Sequence, residues 1–162
     1  MSAIDHLLHA NHVYAETFPG AKPLRPRLSL AVITCMDSRM DLFGALGLEI
    51  GDAHLIRNAG GLPTDDALRS LALSQRALGT REVVLIHHTQ CGMKDFDDTA
   101  FRAQLAAESG QEPPWDVPGF SDVQERMRAS LATVRGCLWI PHRDDVRGFI
   151  FDISTARLAE VH

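Results

Sequence analysis

Short apolar runs alternate with amphipathic stretches along the whole chain, the pattern of an α/β domain built on a mainly parallel sheet. Leu28–Thr34 (LSLAVIT) is apolar almost throughout over the length of a strand, as expected where both faces are buried. Ala53–Arg57 and Glu82–His87 read as two further strands. Amphipathic spacing predicts a helix capped by Thr64, with Asp65 and Asp66 in its first turn and Gly79 at its end. Two more helices are expected, over 99–109 and from a Ser121 cap to Gly136. The last stretch, VRGFIFDISTARLAEV, reads as two short strands around a tight turn at Ser154–Thr155, an edge hairpin.

The N-terminal segment is different. Residues 2–17 have helical spacing but only a thin apolar stripe of Leu7, Leu8 and Val13, too weak to pack on their own domain. We therefore expect one domain over 1–162, in which 1–20 form a helical arm that extends onto a partner subunit.

Composition narrows the function classes. Acidic side chains outnumber basic ones, 21 to 16, which gives no electrostatic footprint for nucleic acid or an anionic membrane. No apolar run approaches the roughly 20 residues that span a bilayer, and 1–16 is too polar for a signal peptide. A cytoplasmic location is expected. There are three cysteines, Cys35, Cys91 and Cys137; an odd number without a close pair argues against a disulfide framework. Cys137, in GCLWIP, is expected to pack as a small apolar side chain.

The other two cysteines stand in chemically loaded turns, Cys35-Met36-Asp37-Ser38-Arg39 and His88-Thr89-Gln90-Cys91-Gly92. Each turn follows a predicted strand, and in open α/β sheets ligands bind outside the carboxyl ends of strands. His88 and Cys91 have chelating spacing, and Cys35 would add a second sulfur. Two sulfurs and one nitrogen suit zinc, with the fourth position open to water or a carboxylate. Arg39 would keep Asp37 ionised and orient it. His87 should point to the opposite face of its strand, towards a structural hydrogen bond. Met36 and Met40 are expected to pack. His54 is expected either near the crevice or as a satisfied surface histidine, and His6, His9, His12 and His142 as exposed.

CMDSR, RNAGG and HHTQCGM, in that order, resemble the β-class carbonic anhydrases, especially their compact prokaryotic branch. The resemblance spans most of the chain. It implies one zinc ion per chain held by Cys35, His88 and Cys91, and a catalytic dyad of Asp37 and Arg39, with Asp37 closing onto zinc as fourth ligand in some members. It places Asn58, Gly60 and Gly61 along the entrance of the site. It implies reversible hydration of CO2 to bicarbonate and a proton through zinc-bound hydroxide, in a homodimer or a dimer of dimers. Phe43, Phe96 or Trp115 would line the apolar approach. Glutamine at position 90 departs from the aspartate or glycine of many members. The same branch also resembles carbonyl sulfide and carbon disulfide hydrolases, which gives an alternative substrate class. A non-catalytic zinc sensor or assembly module is the alternative of another class, and the intact Asp37–Arg39 pair argues against it.

Overall fold

The protein is described by a computed structural model that covers residues 2–162; Met1, the first residue of the expected arm, lies outside the described residues. The chain runs α1 (Ala3–Glu16), β1 (Leu30–Cys35), α2 (Leu42–Leu46), β2 (Ala53–Asn58), a 3-10 turn (Ala59–Gly61) and α3 (Asp65–Arg76). It continues through β3 (Glu82–His88), α4 (Asp98–Ser109), α5 (Val123–Gly136), β4 (Val146–Phe151) and β5 (Leu158–Val161). The five strands form one sheet in the order β2-β1-β3-β4-β5. β2, β1, β3 and β4 are parallel, and β5 closes the edge antiparallel to β4. The architecture is the expected α/β one, with its terminal edge hairpin.

β1 is central because it is apolar on both faces. Ala31 and Ile33 meet Leu71 of α3 and Met127 and Leu131 of α5 in one core cluster. Val32 faces the other way, into a cluster with Met40, Leu42, Ile86 and Phe151. Each such aliphatic side chain contributes about 2 kcal/mol by leaving water. Cys137 belongs to the first cluster, as its apolar surroundings required. Gly148 lets α5 approach β4 closely, since a Cβ there would stand 2.5 Å from the Met127 sulfur.

Helix ends follow local chemistry. Thr64 caps α3 by accepting from the Ala67 N–H. The helix ends at Arg76, and Gly79, at φ +81°, lies in the loop that turns back towards β3. The α5 cap is Asp122, not Ser121: its Oδ1 accepts from the Gln124 and Glu125 N–H groups at 2.7 and 3.1 Å. A carboxylate holds two N–H donors at a positive helix end better than the adjacent hydroxyl. In the hairpin, Asp152 Oδ1 accepts from Ser154 and Thr155 N–H and fixes the expected turn.

α1 begins with a reciprocal Ser2–Asp5 capping box, yet none of its residues is buried. Leu7 and Leu8 are each 65% exposed. Among the described residues no helix is long and apolar enough to cross a membrane.

Candidate metal centre

The strand order reverses at β1, whose neighbours are β2 and β3. The chain therefore leaves β1 and β3 in adjacent turns at the same end of the sheet, the switch-point crevice of this fold class. Cys35 is the last residue of β1 and His88 the last of β3; Cys91 follows three residues later. All three are buried. One ligand atom from each lies within 4.8 Å of the other two, and the sulfurs are 4.0 Å apart. Metal–sulfur bonds of about 2.3 Å at a tetrahedral angle put two sulfurs roughly 3.8 Å apart.

The imidazole of His88 supplies the test of fit. Its Nδ1 lies 2.9 Å from the Thr89 carbonyl, which can only accept, so Nδ1 carries the proton. Nε2 is left as a lone pair, buried and without a partner. Such an orphaned acceptor costs free energy unless something electron-poor meets it. Facing two thiols, it fits a divalent cation. The Cys35 thiol is pulled well below its ordinary value, foremost by a hydrogen bond from Cys91 and then, against burial, by the N–H groups of Asp37 and Gly60. Cys91 is pushed up, foremost because its thiol donates to Cys35 and then by burial, with the charge on Cys35 adding to both. A cation between them removes that conflict and lets both sulfurs ionise.

Asp37 lies beside this group, with Oδ2 3.7 Å from His88 Nε2. Arg39 grips its carboxylate by three donors: backbone N–H and Nε to Oδ1, both 2.9 Å, and Nη2 to Oδ2 at 2.6 Å. These bonds hold the Asp37 carboxyl far below the usual carboxylate range. Arg39 Nη2 also donates to the Gln90 carbonyl at 3.0 Å, so the dyad ties the two turns together. Gln90 sits at φ +55°, and its side chain donates to Ser154 Oγ.

Gly60 and Gly61 are buried, Gly60 against Leu62 and Met93 and Gly61 against the Thr34–Cys35 backbone, and the Asn58 side chain brackets both backbone groups of Leu62. A Cβ on Gly61 would stand 2.7 Å from Cys35 N and Thr34 C, and its φ is +67°. Gly61→Ala should therefore destabilise the protein by roughly 2 kcal/mol or more, measured as a lower urea midpoint. Met40 is buried as expected, but Met36 is 63% exposed. His87 does point away from the metal group; it is buried, neutral and pushed down to about 4 by burial, with Ser130 Oγ 3.5 Å from Nε2. His54 bonds Ser74 Oγ, away from the crevice, and His142 is only half-buried, not exposed.

The apolar approach is also corrected. The cavity that reaches His88 and Cys91, of about 350 Å³, is walled by Phe120, Val123, Gln90 and Lys94. Phe96 packs edge-on against Phe101, Phe43 stands on α2 outside this cavity, and Trp115 lines a separate cavity between α3 and α5. Arg57, which the sequence reading passed over, contacts the Cys35–Met40 turn. Its place at a strand end, just before Asn-Ala-Gly-Gly, was the available signal.

The profile of the carbonic anhydrase family matches residues 30–112. The β-carbonic anhydrase 1 of Mycobacterium tuberculosis is 43% identical over 161 residues, 99% of each chain. This chain belongs to the β-carbonic anhydrase family. A crystal structure of carbonic anhydrase from Streptococcus mutans, 40% identical, superposes with a TM-score of 0.91 over 100% of this chain and 99% of that one. A carbon disulfide hydrolase from Acidithiobacillus thiooxidans is 35% identical over 154 residues, 82% of this chain and 77% of that protein. Carbonic anhydrases and carbon disulfide hydrolases are thus both found among its relatives, and the similarity to the carbonic anhydrases is the fuller of the two.

Proposed function

We propose that the protein is a zinc carbonate dehydratase that hydrates CO2 reversibly to bicarbonate. The observation that carries this reading is the buried, unpartnered His88 Nε2 facing two thiols, with an ionised carboxylate held beside it. Cys35, His88 and Cys91 would hold one zinc per chain. Zinc in that position supplies Lewis acidity that makes water nucleophilic near neutral pH. Three protein ligands would leave room for solvent or, in a closed arrangement, for Asp37 to approach the ion.

The chain's own residues do the rest. Thr89 fixes the His88 tautomer, a partner role that usually sharpens a ligand's donor strength. Asp37 accepts a hydrogen bond from the attacking water and so aims an oxygen lone pair at the carbon of CO2. Arg39 keeps that carboxylate ionised and oriented. Asp37 is far too weak a base to keep a proton at neutral pH, so the proton lost as the new C–O bond forms passes to solvent buffer. Phe120 and Val123 offer the apolar wall that a small neutral substrate needs.

Two further points belong to this reading. The unburied apolar stripe of α1 supports a homodimer, or a dimer of dimers, in which the arm covers a second copy. A site built on free thiols supports the reducing cytoplasm as its compartment.

The similarity to carbon disulfide hydrolases favours a second reading, hydrolysis of carbonyl sulfide or carbon disulfide at the same centre. Zinc analysis, stopped-flow CO2 hydration and sulfide release measured on one preparation decide between them. We expect about one zinc per chain and a kcat/KM for hydration well above that for sulfide release. The reverse order would establish the second reading.

A further inference from the structure

Arg57 is the penultimate residue of β2, opposite Thr34 in register. Its guanidinium reaches across to the first ligand turn and donates to three main-chain carbonyls: Nε to Cys35 at 2.9 Å, Nη2 to Asp37 at 2.6 Å and Nη1 to Met40 at 3.5 Å. The turn so held begins at a ligand sulfur, ends at a buried methionine and carries Asp37 between them. Asp37 is thereby fixed at both ends. Its carboxylate is gripped by Arg39, and its carbonyl accepts from Arg57 and from the Met40 N–H at 3.2 Å. The three carbonyls are met by three different nitrogens of one planar fork, a spread that the three donors on the single nitrogen of an ammonium do not match.

We infer that Arg57 is a positioning residue for the reaction. It locks the main chain from Cys35 to Met40 so that the Asp37 carboxylate keeps its place beside His88 Nε2. Arg57 itself is exposed; of the residues whose carbonyls it holds, Asp37 is half-buried, while Cys35, the last residue of β1, and Met40 are buried. Its donors join the strand end to the turn, so losing them frees the turn while β1 keeps its ladders to β2 and β3. The kinetic part of this inference rests on the hydration reading; its structural part rests on the three carbonyl contacts alone.

Arg57→Lys tests both parts. In the full chain as purified, amide exchange over residues 36–40 should accelerate about tenfold or more while the β3 amides keep their protection. In the zinc-loaded protein, kcat for hydration should fall about 10- to 100-fold at nearly unchanged KM, with zinc content maintained. If Arg57 acts through Asp37, Arg57→Lys in an Asp37→Ala background should lower kcat by no more than about twofold further. The assignment is overturned by unchanged exchange in the turn, by a kcat within about twofold of the parent, or by losses that multiply in full in the double variant. A collapse of thermal stability in Arg57→Lys would make Arg57 a structural support and overturn it too. Accelerated exchange in the turn of a protein without hydration activity would refute the hydration reading and leave the clamp standing.

Discussion

Cys91→Ala is expected to remove bound zinc and, with it, hydration of CO2 above the buffer rate. Cys91 supplies one of the two sulfurs, 4.0 Å from the other, and sits on the same turn as His88. Without it the centre keeps one thiol and one imidazole, and among the described residues the third cysteine, Cys137, lies in the other core cluster. Losing a group that only orients a ligand typically costs 10–100-fold in metal affinity, so losing a ligand should cost more than about 100-fold. Thermal unfolding offers a readout independent of turnover. Metal that binds only the folded state raises its stability, so a chelator should lower the midpoint of the parent and leave that of Cys91→Ala unmoved. Cys137→Ala is the control. It deletes the same atoms from the core cluster, at a cost of about 1 kcal/mol, and should keep the zinc and the chelator shift. Full zinc occupancy in Cys91→Ala would show that the three residues are not the ligand set.

The same residues show how far the sequence could be read and where it stopped. The apolar run of β1 and the chelating spacing of His88 and Cys91 are local signals. Local signals suffice because parallel strands at a switch point bring their following turns together whatever the detail. Side-chain direction inside those turns is not local. Met36 and Met40 look alike in CMDSRM, yet only Met40 meets the core, because the chain turns between them. The α5 cap was misplaced by one residue because Ser121 and Asp122 both qualify, and the choice depends on which one lies in line with the first turn. α2, at five residues, is too short to display a helical period. The aromatic character of Phe43, Phe96 and Trp115 says nothing of where each folds, whereas Phe120 gains its place through the loop that returns past Met93 and Lys94. Arg57 is, in the sequence, only the end of an expected strand. Its role comes from the β1–β2 register, which no single segment encodes.

Asp37→Ala should separate metal binding from turnover. In the proposed centre Cys35, His88 and Cys91 would supply the three ligand atoms, so the variant is expected to retain about one zinc per chain. Its kcat should nevertheless fall by about 100-fold or more, comparable with the loss of an oriented hydrogen-bond partner in a reacting site. Removing the carboxylate leaves Arg39 without its ion partner, but Arg39 is half exposed and can be solvated, so stability should change little. The pH dependence sharpens the test. Because Arg39 holds the Asp37 carboxyl far below the usual carboxylate range, Asp37 stays ionised throughout the neutral and mildly acidic region. Its contribution to stability is present above the ordinary unfolded value and fades only as pH falls towards the lowered folded one. The rate profile of the parent should then show no ionisation of Asp37 above about pH 5, where an ordinary carboxylate has already lost its proton. Asp37→Ala should lower the whole profile without moving its midpoint much. A variant that keeps parental kcat, or one that loses zinc along with activity, would assign Asp37 a different part: a bystander in the first case, an essential ligand in the second.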